Sequence, residues 1–132
     1  MEDLIDVLWL MDKAEVQGKF FIRDLKNVIY PPLELGQYEL FYGPAGKPIG
    51  FCSWAFLTQE AREGFLDRTR PLAPLDWNAG TELWFMDFIA PYGGVREMVR
   101  QLYALHPYAT VAYMARTSKE NTVKRIGVFE RK

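Results

Sequence analysis

The chain is short of several things, and each shortage excludes something. Its 132 residues carry 16 Lys and Arg against 17 Asp and Glu, a formal net charge of -1. That balance argues against a broad nucleic-acid surface, which needs clustered cations to neutralise phosphates. One basic strip stands near the end, at Lys119, Lys124, Arg125, Arg131 and Lys132; the plain reading is a solvated strand edge. The single cysteine, Cys52, cannot close a disulfide within the chain, which suits a reducing cytoplasm. The single histidine, His106, and Cys52 together are too few to hold a metal. No long apolar run occurs: "MEDLIDVLWLMDKAE" is broken by Asp3, Asp6 and Asp12 and has no basic lead-in, so it reads as neither a signal peptide nor a membrane span. There is no internal repeat and no low-complexity segment. Residues 1–132 read as a single domain.

What the chain does have is apolar mass, 49% of its residues, with 15% aromatic, enough for a buried core. Residues 2–14 set Leu4, Ile5, Leu8 and Met11 at helical spacing. Residues 20–30 set Phe21, Leu25, Val28 and Ile29 on one face of a second helix, which Pro31-Pro32 should end. "QYELFY" (37–42) and "IGFCSWAF" (49–56), joined by "GPAGKP", read as a hairpin. A short helix follows, with Thr58 as its N-cap, and then a loop punctuated by Pro and Gly over residues 70–80. "TELWFMDFIA" (81–90) reads as a central strand covered on both faces. After "PYGG" comes a helix with the stripe Val95, Met98, Val99 and Leu102, then strands at 109–117 and 122–131 around the turn "SKEN". Antiparallel pairs around one strand–helix–strand unit make the class α+β. The order of elements resembles a GCN5-related N-acetyltransferase-like mixed sheet flanked by helices.

Chemistry concentrates in "WFMDFIAPYGG". Strand alternation puts Asp87 on one face with Phe85 and Ile89, and Trp84, Met86, Phe88 and Ala90 on the other. A carboxylate in that setting is costly unless paired or hydrogen-bonded. Asp87 is therefore either a structural aspartate satisfied by its neighbours or one that orients a base or an amine. Gly93 and Gly94 before a helix let backbone N–H groups approach an anion, or simply make a turn. The strand carries no Gly-x-Gly pattern, so an acetyl-coenzyme A site is not indicated. His106, just past a helix and before Pro107, reads first as a C-cap. Cys52, inside a strand, reads first as a small hydrophobe and only secondarily as a nucleophile.

"LELGQYELF" (33–41), "KPIGFCSWAFL" (47–57), "DWNAGTELWFMDFIAPYGG" (76–94) and "LHPYA" (105–109) resemble the RTX toxin-activating lysine acyltransferases, the hemolysin-activating type. "VLWLM" (7–11) is similar to that family's N-terminal Trp-Leu segment. The resemblance covers about residues 7–110 and fades after about 115, where the family's C-terminal extension is not matched. It implies an N-acetyltransferase-like fold and transfer of a fatty acyl group from acyl-carrier protein to internal lysines of a toxin-like protein. The donor is then the phosphopantetheine thioester of acyl-carrier protein, with no bound cofactor, and the turn Tyr92, Gly93 and Gly94 would receive its phosphate. The resemblance also suggests dimers and some membrane proximity.

The family's catalytic pair is a histidine after the first helix and an aspartate in the central strand. The aspartate carries over to Asp87. The histidine's position holds Gln17, and an asparagine of the family falls on Val28, with Asn27 beside it. Histidine accepts a proton near neutral pH; a glutamine amide does not. Three readings follow. Asp87 or His106 serves as base for a different amine acceptor. The chain binds acyl-carrier protein or a polypeptide without catalysis. Or the site has been altered at Gln17.

Overall fold

The computed structural model describes residues 2–117 and 123–130. Five strands form one sheet in chain order: β1 (Tyr38–Tyr42), β2 (Pro48–Leu57), β3 (Glu82–Ile89), β4 (Val111–Thr117) and β5 (Val123–Glu130). Every neighbouring pair is antiparallel except β3–β4. That parallel joint follows from α5 (Val95–Leu105), the crossover that returns the chain to the start of β4. The class is α+β, and the sheet is mixed, as the element order implied. No helix among the described residues is long and apolar enough to cross a membrane.

The central strand β3 is buried on both faces. On one side Phe41, Cys52, Trp54 and Phe85 pack under Met98 and Leu102 of α5. On the other, α1 (Glu2–Asp12) and the segment after it cover Phe51 and Ile89. Farther along that second side, α4 (Gln59–Leu66) and the loop after it bring Leu72 and Trp77 onto Ala55, Leu57 and Trp84. Thr58 caps α4 as expected, its Oγ1 accepting from the Ala61 N–H at 3.1 Å. The 70–80 loop holds a short 3-10 turn, Pro74–Trp77. It is pinned where the Asp76 carboxylate accepts from the Ala73 N–H at 2.7 Å and from Arg70 at 2.8 Å.

Four expectations change. In α1 the buried stripe is Val7, Leu10 and Met11, while Ile5 and Leu8 are 67% and 41% exposed. Both stripes satisfy helical spacing, and only docking against the sheet chooses between them. The helix expected over 20–30 is broken into a 3-10 turn (Ile22–Asp24), α2 (Leu25–Val28) and α3 (Tyr30–Leu35). Phe21 lies extended and exposed at its start, its N–H donating to Asp24 at 2.7 Å. Pro31 and Pro32 do not end a helix: they sit in the first turn of α3, where a missing N–H leaves no hydrogen bond unmade. α3 stops instead at Gly36, in the left-handed conformation at φ 72°. In α5, Val95 is 47% exposed, leaving Met98 and Leu102 as the buried stripe.

The fourth change is in β3. Phe85 pairs with Trp54 and Phe88 with Cys52, so two residues, Met86 and Asp87, oppose the single residue Ser53. This is a β-bulge, and it shifts the alternation by one. Phe85 packs on the α5 side and Ile89 on the α1 side, so they do not share a face. Asp87 keeps company with Ile89 and with Met86. The turn "SKEN" at 118–121 lies outside the described residues, as do the side chains of the basic strip, Lys119, Lys124, Arg125, Arg131 and Lys132.

Candidate functional site

The bulge is where the site forms. The Asp87 backbone N–H, released from the regular ladder, donates to Ser53 Oγ at 3.1 Å. Ser53 is fully buried, so this bond also satisfies its hydroxyl. On the next strand over, the parallel ladder runs from Leu83–Ala112 to Phe85–Met114. Beyond that pair, among the described residues, β3 and β4 continue without pairing to each other. The two strands part where Asp87 lies.

Across the gap comes Gln17. It opens a 3-10 turn (Gln17–Lys19) just past α1, held by the Gly18 N–H bonding the Ala14 carbonyl at 3.0 Å. Docking of α1 through Val7, Leu10 and Met11 therefore sets where Gln17 falls. Its Nε2 donates to Asp87 Oδ1 at 3.1 Å, joining residues 70 positions apart in sequence. Burial pushes the Asp87 carboxyl up to about 6, and the Gln17 hydrogen bond offsets only part of that. Among the described residues no cation forms an ion pair with it. An Asp in this state is a much better proton acceptor near neutral pH than an ordinary carboxylate.

Gln17 and Asp87 form part of the wall of a 380 Å³ cavity in the gap. Asn27, Val28 and Arg68 also line it, and among the described residues the rest of the lining is aliphatic or aromatic, including Trp77 and Met114. Arg68 is the one non-glycine residue with positive φ, at 65°, among those described. Asn27, suggested with Val28, thus reaches the same cavity as the pair.

His106 does not. It is the C-cap of α5, its N–H bonding the Tyr103 carbonyl at 3.1 Å, as its place before Pro107 suggested. Its ring stands edge-on to Trp54 at 4.5 Å, on the α5 side of the sheet. Cys52 is fully buried on that side, and burial, with Asp87's charge a lesser cause, pushes its thiol well up. It packs as a small hydrophobe.

Tyr92, Gly93 and Gly94 line a second cavity, of 360 Å³, at the start of α5. The two glycines sit at φ 86° and 81°, left-handed values that a side chain would strain. Gly94 is the N-cap of α5, so the turn lies where a helix presents its unpaired N–H groups. Tyr92 touches the Trp9 ring of α1, with centroids 6.5 Å apart. The two cavities share no lining residue. Sequence reading passed over Ser53 and Trp77; a lone hydroxyl inside "GFCSWAF" was the available signal for the first, by the same logic that singled out Asp87.

A mixed sheet that parts around a half-buried aspartate, followed by a glycine turn into the crossover helix, defines an N-acetyltransferase-like fold. The sequence profile described as the RTX toxin acyltransferase family matches residues 2–130. The chain belongs to that family. Among its relatives is the lysine-acyltransferase RtxC of Vibrio cholerae serotype O1, 31% identical over 96 residues, covering 73% of this chain and 63% of that protein. The RTX-I toxin-activating lysine-acyltransferase ApxIC of Actinobacillus pleuropneumoniae is 38% identical over 92 residues, covering 70% of this chain and 53% of that one. The protein-lysine myristoyltransferase RtxC of Kingella kingae is 32% identical over 91 residues, with coverages of 69% and 54%. In these three alignments the chain spans between 53% and 63% of the relative's own length.

Proposed function

We propose that the protein transfers a fatty acyl group from the thioester of acyl-carrier protein to a lysine amine of a toxin-like polypeptide. The observation that carries this reading is the hydrogen-bonded Gln17–Asp87 pair in the wall of a mainly apolar cavity, in a chain of this family. Amide formation requires the lysine ammonium to lose a proton before its nitrogen attacks the thioester carbonyl. Asp87, with its affinity for protons raised to about 6, accepts that proton. Gln17 holds the carboxylate in place through its N–H, and its own carbonyl oxygen remains an acceptor for the incoming ammonium. The tetrahedral intermediate then expels the carrier's thiolate, which is reprotonated, and the amide stays on the lysine. The Tyr92-Gly93-Gly94 turn is assigned to the phosphate of the carrier's phosphopantetheine arm.

A second reading, a binder of acyl-carrier protein or of a polypeptide without catalysis, is favoured by one observation: an amide, not an imidazole, faces Asp87. Incubation with palmitoyl-acyl-carrier protein and a lysine-containing toxin fragment, followed by mass spectrometry, decides between them. Acylated lysine with wild type, lost in Asp87→Asn, supports the transferase. No transfer by wild type, with transfer by Gln17→His, overturns the transferase reading and leaves the second.

A further inference from the structure

We infer that the cavity beside Asp87 is the subsite for the donor's acyl chain, and that its floor sets the chain length the protein accepts. The inference rests on the acyl-transfer reading above and adds to it a place for the chain and the residues that measure it. The lining argues for a chain. Among the described residues, apart from Gln17, Asn27, Arg68 and Asp87, it is aliphatic or aromatic. Over most of that wall a ligand finds no hydrogen-bond partner, and a methylene chain needs none.

Burial gives the cavity a direction. Asn27, Arg68 and Pro71 are exposed and form the mouth, while Leu72 and Trp77, 9% and 1% exposed, form the floor. Its size gives a length. A cavity of about 150 Å³ takes one benzene ring, about 25 Å³ per carbon, so 380 Å³ takes on the order of 15 carbons. Two wall positions alter that volume most simply. Ala115, on β4, is the smallest side chain in the lining, and Leu72 is an apolar residue of the floor that can be cut back.

The test uses pantetheine S-alkyl thioethers of 8 to 18 carbons, which have no carbonyl and cannot react, kept below their micelle concentrations. Affinity is read from tryptophan fluorescence, Trp77 being in the lining. For wild type, affinity should rise roughly fourfold per methylene and level off near 15 carbons. Ala115→Phe adds a phenyl ring and should move the plateau down by about six carbons. Leu72→Ala removes three carbons and should move it up by about three. Melting curves establish that each variant is folded. Affinity independent of chain length in wild type overturns the inference. So do folded variants that weaken every chain equally and leave the plateau in place. Because the thioethers cannot transfer, the plateau is read independently of lysine acylation: a plateau without transfer sinks only the transferase reading.

Discussion

Asp87→Asn should make the protein more stable at neutral pH while abolishing transfer. Burial raises the carboxyl from its ordinary 3.8 to about 6, and an amide, not a cation, is its side-chain partner. A group whose folded pKa lies above its unfolded one favours folding fully below the unfolded value. That contribution is lost as pH rises through the folded value. Between pH 4 and pH 7, wild type should therefore lose stability relative to Asp87→Asn. A shift of about two units at about 1.4 kcal/mol each gives about 3 kcal/mol as an upper bound, since Asp87 keeps some surface toward the cavity. An asparagine pairs with Gln17 as readily, after a turn of one amide. Urea unfolding of both proteins at unit steps from pH 4 to pH 8 measures the difference directly. In a chain of this size it corresponds to about 10 °C in Tm at pH 7. A difference that is flat with pH, or a wild type that is the more stable at pH 7, refutes the reasoning. A loss of about 3–5 kcal/mol in the variant would mean that Asp87 is half of a buried ion pair instead.

The acyl-transfer rate should rise with pH through an inflection near 6, set by Asp87, in a pH–rate profile of kcat/KM. Because the Gln17 hydrogen bond lowers the Asp87 value, Gln17→Ala should move that inflection upward, and an unmoved inflection would show that Asp87 is not the titrating group. Ser53→Ala leaves the Asp87 N–H at the bulge without its acceptor and should cost about 1–3 kcal/mol in denaturant unfolding. Cys52 should resist iodoacetamide in the folded protein and react only on unfolding, as followed by mass spectrometry, because its thiol is fully buried and its pKa raised.

Much of this molecule is local and so was readable along the chain. The β1–β2 hairpin follows from alternation around a Gly-Pro turn. The caps at Thr58 and His106 follow from their positions beside helical patterns. The nearly all-apolar run of β3 marks it as central, and a single aspartate inside that run is conspicuous because burying a carboxylate is costly. These features depend on residues within about one turn or one strand of each other.

What the sequence by itself determined, then, was most of the list of elements, the α+β class and the oddity of a carboxylate, Asp87, inside an apolar strand. Tertiary structure decided the rest. Helical spacing in α1 permits two apolar stripes, and only contact with the sheet buried Val7 and Leu10 while leaving Ile5 and Leu8 outside. Pattern alone let Pro31-Pro32 end one helix, whereas packing uses them to begin another. The bulge opposite Ser53 exists only because two strands are paired, and it moves Asp87 away from Phe85 and toward Gln17. No local signal links residue 17 to residue 87: their hydrogen bond is a consequence of where α1 docks and where β3 parts from β4.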